Sequence, residues 1–384
     1  MLLALGSAWV PARAASTARG AIDWLVAQQK SDGSFGNLGA PADATAEVIA
    51  TLRSAGLSGR VIELALDRVA ADGPTRAEKD PTYAARIILG LIAADEDPRD
   101  FRGTDYVAIL DSEREPLTGG HGGNIYSEAI IGIARNALGT PVDPKTLALI
   151  RASRCQAGGY GYERGCVRGP DTDTTAMVVT MLILSGGSVQ DESISGAIAW
   201  MRSVQAPQGA FPFSEGQRVN SNSTGLAASM IALLGPAWKG GNASRALRTF
   251  ATRSGGFRYS AATDGPNLYA TVQGLPGYLG APYPLRGTSS TTTSSRIDPV
   301  VPGASSSPHL SPSSGGTKRG ETDRPPLEII PAQTASPTGS ESGGPELAGA
   351  PEGTGTGRRT GLSAAATLLV LGGLAWTVGR RRTT

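Results

Sequence analysis

Two patterns of apolar residues alternate along roughly the first three quarters of this chain. In one, apolar positions follow each other with hardly a break, as over residues 84–92 and 176–184. A helix that is apolar on all sides is one buried on all sides. In the other, apolar residues return at three- and four-residue steps with Arg, Asp, Glu or Lys between them. This holds over residues 21–30, 61–71, 106–113, 145–155, 194–204 and 243–253. Such spacing marks helices with one face in water.

Each helix of the buried type opens on a similar phrase. The six read Asp43-Ala-Thr-Ala46, Pro81-Thr-Tyr-Ala84 (behind Asp80), Asn124-Ile-Tyr-Ser127, Asp173-Thr-Thr-Ala176, Asn222-Ser-Thr-Gly225 and Asn267-Leu-Tyr-Ala270. Asp and Asn side chains accept from the orphan N–H groups of a first helical turn, so these positions are expected N-caps. They recur every 38 to 49 residues, the length of a two-helix repeat. Six buried helices alternating with six half-buried ones predict an all-α fold: an (α/α)6 toroid over residues 16–286, with the buried set as its inner ring. The same repeats could stack into an open solenoid. Closure is expected because six units complete this ring and neither end carries a polar capping repeat.

A second phrase appears twice, as Trp24-Leu25 with Gln29 and Gly33-Ser34-Phe35, and as Trp200-Met201 with Gln205 and Gly209-Ala210-Phe211. It resembles the QW repeat of squalene–hopene cyclases and other triterpene cyclases. The resemblance spans the predicted toroid and implies a member of the wider prenyltransferase/squalene-oxidase repeat group, whose toroids serve several functions. In the cyclases the catalytic acid lies in an Asp-x-Asp-Asp-Thr-Ala motif at the head of an inner helix. Here residues 171–176 read Asp-Thr-Asp-Thr-Thr-Ala. The resemblance therefore implies Asp173 as proton donor and Asp171 as its partner, with Thr174 in place of the third carboxylate. Protonating an alkene needs a carboxyl kept protonated in a dry site. It also needs aromatic faces for the migrating cation, and this chain is 5% aromatic. If Asp173 is one of six equivalent caps, its role is structural.

The other functions of the group find less support. Thr175 stands where a protein prenyltransferase would place its zinc-binding Cys, and there is no Gly-Cys-Gly-Glu-Gln thioester motif. Residues 287–360 cannot form the β-domain that closes a cobalamin carrier. A sugar hydrolase could draw carboxylates from Asp43, Glu47, Glu128 and Asp173, but it would lack aromatic platforms.

Charge and composition place the domain. With 35 Lys+Arg against 33 Asp+Glu the chain is nearly neutral, and it has no basic stripe, so nucleic acid is not an expected partner. Residues 287–360 are rich in Ser, Thr, Pro and Gly, and read as a disordered stalk. Residues 361–379 hold no charge and are followed by Arg380-Arg381-Arg382. At about 1.5 Å per residue this run approaches a bilayer core of about 30 Å. It is expected to be a transmembrane helix with residues 380–384 as a cytoplasmic tail. Residues 1–15 are expected to be a leader peptide, cleaved near Ala12-Arg13-Ala14, although it lacks a basic start. The expected localisation is thus the cell membrane, single-pass, with the toroid outside. Cys155 and Cys166, the only cysteines, are expected to form a disulfide rather than part of a four-ligand zinc site.

In a closed ring all inner helices start at one end, and their dipoles converge on one mouth. The candidate ligand-binding residues there are Asp43, Glu47, Tyr83, Asn124, Tyr126, Glu128, Thr175, Asn222, Asn267 and Tyr269. His121, within Gly119-Gly-His-Gly-Gly123, has no evident partner in sequence and is expected to be a loop histidine. That glycine-rich stretch lacks the Lys of a phosphate loop. The expected function is binding of a small molecule or protein partner at the mouth, with no metal or cofactor. The alternative is a class II terpene-cyclase-like enzyme with Asp173 as general acid, and the third reading is a structural surface module.

Overall fold

The computed structural model describes residues 12–35, 42–115 and 119–287. In chain order its helices are α1 (Ala12–Ala27), α2 (Ala42–Ser54), α3 (Arg60–Ala77), α4 (Pro81–Ala93), α5 (Tyr106–Ser112) and α6 (Ile125–Ala137). They continue with α7 (Pro144–Ala152), α8 (Thr172–Leu184), α9 (Glu192–Val204), α10 (Ser221–Leu234), α11 (Ala243–Leu247) and α12 (Leu268–Leu279). Even-numbered helices form the inner ring and odd-numbered ones the outer. Each inner helix packs against both its inner neighbours, and α12 returns to α2. Across that seam the Thr51 hydroxyl of α2 donates to the Val272 carbonyl of α12 at 2.9 Å. The fold is the expected all-α toroid, and the ring is closed. Among the described residues the strands are limited to the two-residue antiparallel pair β1 (Phe211–Pro212) and β2 (Val219–Asn220).

Small residues let the inner helices approach closely. A Cβ on Gly225 of α10 would overlap the Gln273 carbonyl of α12, so only glycine fits that crossing. The Trp–Gln–Gly–aromatic phrase is the joint between repeats. Trp200 lies on Gly159 of the preceding repeat, and Trp24 lies on Gly256 of the last, so the first repeat is seated on the sixth. The Gln205 amide donates to the Gly209 carbonyl at 2.8 Å and accepts from the Gly241 N–H at 2.6 Å. Gln29 likewise donates to the Val61 carbonyl at 2.8 Å. Gly33 and Gly209 turn the chain with φ of 84° and 94°, a region costly for residues with a Cβ.

The aromatic residue is then latched. The N–H groups of Tyr160, Phe211 and Phe257 each donate at 2.9 Å to the hydroxyls of Thr175, Thr224 and Thr271. All three aromatic side chains are fully buried.

This latch corrects the register of the caps. Asp80, Asn124 and Asn267 cap α4, α6 and α12. Helix α8, however, is capped by Asp171 and α10 by Asn220, two residues before Asp173 and Asn222. Asp43 lies inside the first turn of α2. A small residue follows the start of each expected phrase three places on, but that spacing does not fix the cap. The physically fixed spacing runs from the cap to the latch Thr four places on, and the caps then recur every 44 to 49 residues. Outer helices differ in extent: α1 begins at Ala12, within the expected leader, and α11 gives way to a 3-10 turn over Arg248–Phe250.

Cys155 and Cys166 are joined by a disulfide with Cα atoms 5.5 Å apart. Residues 1–11 of the expected leader, the expected stalk beyond Gly287, the membrane segment 361–379 and the tail lie outside the described residues. Among the described residues no helix is long and apolar enough to cross a membrane.

Candidate functional site

The inner-helix N-termini converge on a layer of polar side chains. Asp43 accepts from Arg76 Nε at 3.1 Å and lies 3.6 Å from Arg86, whose Nε is 3.0 Å from Glu47 Oε1. The Arg76 guanidinium also covers the Tyr83 ring, 3.8 Å from its centroid, a cation–π contact. Burial raises the Glu47 carboxyl above its usual range, with Arg86 pulling it back. Burial opposes the charge on Arg86, but Glu47, Tyr126 and Asp43 more than restore it, so Arg86 is held firmly cationic. Two carboxylates and two guanidiniums thus balance on this side of the ring.

The opposite side holds the carboxyl pair. Burial pushes Asp171 up to about 6, against the Thr174 N–H that its Oδ1 caps at 2.7 Å. Burial, then the neighbouring Asp171 charge, pushes Asp173 up to about 7. Since Asp171 does the capping, Asp173 is released from it. The nearby Ser223 hydroxyl pulls the Asp173 carboxyl back towards its charged form, and itself accepts from Asn220 Nδ2 at 3.1 Å. Asp173 Oδ1 is sealed from solvent and has no partner. On the next helix Asn222 gives its Nδ2 to Gln273 Oε1 at 2.9 Å, which leaves its Oδ1 equally sealed and unpartnered.

Beneath this layer lies an axial chamber. Leu89, Ile130, Met177 and Leu226 line its wall, Arg86 and Tyr126 its top, and Tyr283 with Leu285 its floor. Its volume is about 30 Å³, room for a water or two.

The expected site residues divide. Glu47 and Tyr126 line the axial chamber, and Asp43 is tied to Glu47 through Arg86. Asn222 is bonded to the chamber residue Gln273, and Asp171 and Asp173 lie close enough for their charges to reach Tyr126. Tyr83 lies under Arg76, and Tyr269 lines a shallow neighbouring pocket with Glu47 and Phe35. Asn124 and Asn267 spend their side-chain oxygens as caps. Thr175 is the latch for Tyr160 and is fully buried. Glu128 is fully buried, accepting from the His121 N–H at 2.8 Å and from Arg164 at 3.3 Å. His121 is therefore not the isolated loop histidine expected: its ring is buried, with Nδ1 3.6 Å from Glu128 Oε2. Among the described residues no group of three or more His, Cys, Asp or Glu is placed to hold a metal.

Sequence reasoning missed Arg86, Gln273, Tyr162, Tyr259 and Tyr283. The first two carried a signal, each being a polar residue within an apolar inner helix. The tyrosines come from loops and from beyond α12, where no periodicity marks them. The chain is poor in aromatics, but the mouth is not. Tyr162 stacks on Tyr126 with centroids 6.4 Å apart, and Tyr259 feels the Asp173 charge.

No protein-family model matches the chain, and no characterised relative matches it in sequence. Its fold does resemble solved structures. The type II terpene cyclase MstE from Scytonema is 15% identical, with a TM-score of 0.51 over 70% of this chain and 98% of that one. A protein from Actinoplanes is 14% identical, with a TM-score of 0.52 over 70% and 99% of the two chains. Haptocorrin in complex with Cbi is 15% identical, with a TM-score of 0.50 over 73% and 71%. At such identities the likeness speaks for fold alone, and the chain has a terpenoid-cyclase-like α/α toroid fold.

Proposed function

We propose that the toroid binds a small molecule at the inner-helix N-terminal mouth, where Asp173 and Asn222 read its polar group. One observation carries this reading: two buried acceptor oxygens, Asp173 Oδ1 and Asn222 Oδ1, sit without partners on adjacent helices. Buried polar atoms are normally satisfied, and a ligand would satisfy these. An uncharged group that both donates and accepts, such as a hydroxyl or amide, suits a carboxyl that is partly protonated near neutrality beside an amide oxygen.

A second reading is a class II terpene-cyclase-like enzyme with Asp173 as general acid. Its support is Asp173's freedom from capping and a carboxyl pushed up to about 7, close to what an acid needs. MstE, a type II terpene cyclase, is matched over 98% of its own chain, so a single toroid is compatible with the reading. The chamber counts against it, because its volume of about 30 Å³ is room for a water or two and not for an isoprenoid chain. Binding is therefore placed first.

Native mass spectrometry of the full chain with isoprenoids and corrinoids separates the two. Retention of a ligand that Asp173→Asn and Asn222→Ala both weaken supports binding. Turnover of an isoprenoid that Asp173→Asn abolishes would replace it with the enzymatic reading. The uncharged run 361–379 with three arginines behind it further supports a membrane tether with the toroid outside, and failure of protease to release the toroid from intact cells would reject that topology.

A further inference from the structure

The floor of the axial chamber belongs to neither ring. It is made by residues 281–287, which follow α12 and cross the C-terminal end of the inner ring. Leu285 is buried against Ala50 of α2 and Ala93, the last residue of α4. Tyr283 reaches the chamber itself, close enough to feel the charges of Glu47 and Arg86. All six inner helices contribute wall to this chamber, so Tyr283 and Leu285 occupy the axis of the whole toroid.

What holds this segment is one-sided. The Ala281 N–H donates to the Pro276 carbonyl at 2.9 Å. Beyond it, among the described residues, no backbone hydrogen bond fastens 282–287 to the ring. Leu285 packs in a small cluster separate from the main core. Apolar contact of this kind is exchangeable, because another apolar body of similar shape would make it equally well. Segments with few backbone hydrogen bonds open at low free energy.

We propose that residues 282–286 are a displaceable strap, and that the toroid axis is a ligand site which the chain itself fills with Tyr283 and Leu285. The ligand that replaces them has an elongated apolar body lying along the axis between Leu89, Ile130 and Leu226. Its uncharged polar head lies at the layer of Asp173 and Asn222. A charged head is disfavoured because Asp43, Glu47, Arg76 and Arg86 already neutralise one another. The position of the head rests on the mouth reading given above; the strap itself does not.

The test uses N-phenyl-1-naphthylamine, an uncharged apolar fluorophore, titrated into the full chain. Tyr283→Ala with Leu285→Ala should bind it at least ten-fold more tightly than the wild type, at one site per chain. Adding Leu226→Trp, which fills the wall, should abolish that gain. Equal affinity in the wild type and the opened variant would overturn the strap. The probe needs no partner at the mouth, so this result stands whether or not a natural ligand is found, and loss of a mouth ligand in Asn222→Ala bears only on the mouth. Nitration of Tyr283 in the wild type, mapped by mass spectrometry with and without saturating probe, guards against a variant that misfolds. Tyr283 is only partly exposed, so its nitration should rise several-fold as the strap leaves, and unchanged or slower nitration would overturn the proposal.

Discussion

The third repeat and the last three are built on one plan and finished with different chemistry. In repeats four to six a positive-φ glycine delivers an aromatic residue (Tyr160, Phe211, Phe257) into the core, and a Thr hydroxyl latches its N–H. In the third repeat Gly119 delivers His121, and Glu128 takes the place of the Thr four residues after the cap. The fixed element is the backbone bond from the turn to the inner helix; the side chain pair that makes it is variable. Where the pair is Thr and an aromatic, every polar atom is satisfied. Where it is Glu and His, both ring nitrogens and Glu128 Oε2 are left without hydrogen-bond partners. Repeats three to six are thus alike in this joint but unevenly satisfied.

The sharpest way to break this comparison is to empty an aromatic slot. Phe211 is fully buried and tilts against Trp238 with centroids 6.2 Å apart. Phe211→Ala should cost about 3–5 kcal/mol, read as a shift in denaturation midpoint. His121→Ala should cost well under that. Equal losses would show that the histidine slot is as well packed as the others.

A second contrast is between two carboxyls two residues apart. Asp171 caps, and Asp173 does not. Both have folded-state values above the ordinary one near 3.8, at about 6 and about 7, and they titrate as a pair. Between those limits the native state holds more protons than the unfolded chain. Stability therefore falls as pH rises from about 4 to about 7, and is flat above. Asp173→Asn removes most of that slope, so relative to wild type it should gain on the order of 2 kcal/mol between pH 4 and pH 8. Asp171→Asn should be milder in its structural effect, since Asn220 and Asn267 cap the equivalent helices. A wild-type stability curve that rises over this interval would refute the burial of the pair.

The latch itself can be tested more gently. Thr224→Val keeps the shape but leaves the Phe211 N–H buried without its acceptor, which should cost about 1–3 kcal/mol. If Thr175→Val and Thr271→Val cost the same within about 0.5 kcal/mol, the three latches, each at 2.9 Å, are equivalent parts.

These contrasts also mark what the sequence could show. The alternation of wholly apolar and half-apolar helices was legible because each ring imposes its own burial on 3.6-residue periodicity. Closure was less so, since it rests on Trp24 meeting Gly256 across nearly the whole domain. Cap register was misread at Asp173 and Asn222 because Asp, Asn, Ser and Thr crowd those helix starts, and all of them can cap. Only the long-range bond to Tyr160 or Phe211 distinguishes the cap from its neighbour. The mouth was half legible. Glu47 and Tyr126 lie on predicted helices, whereas Tyr162, Tyr259 and Tyr283 arrive from irregular segments whose course the sequence does not encode locally.

The smallest expected effect is the most discriminating for the opening comparison. His121→Phe would give the third repeat the same residue type as its neighbours. It removes two buried ring nitrogens that lack hydrogen-bond partners, a relief worth up to about 1–3 kcal/mol. Against this stands the larger ring, since overpacking commonly costs about 1–3 kcal/mol, and the loss of a contact at 3.6 Å with Glu128. Glu128 would keep its bonds to the residue 121 N–H and to Arg164, so its charge stays compensated. The net expectation is a gain of up to about 1 kcal/mol, read from the denaturation midpoint at fixed pH. A loss of more than about 1 kcal/mol would mean that the slot is shaped for imidazole. His121 and Glu128 would then be a pair in their own right rather than a weakened copy of the aromatic–threonine latch.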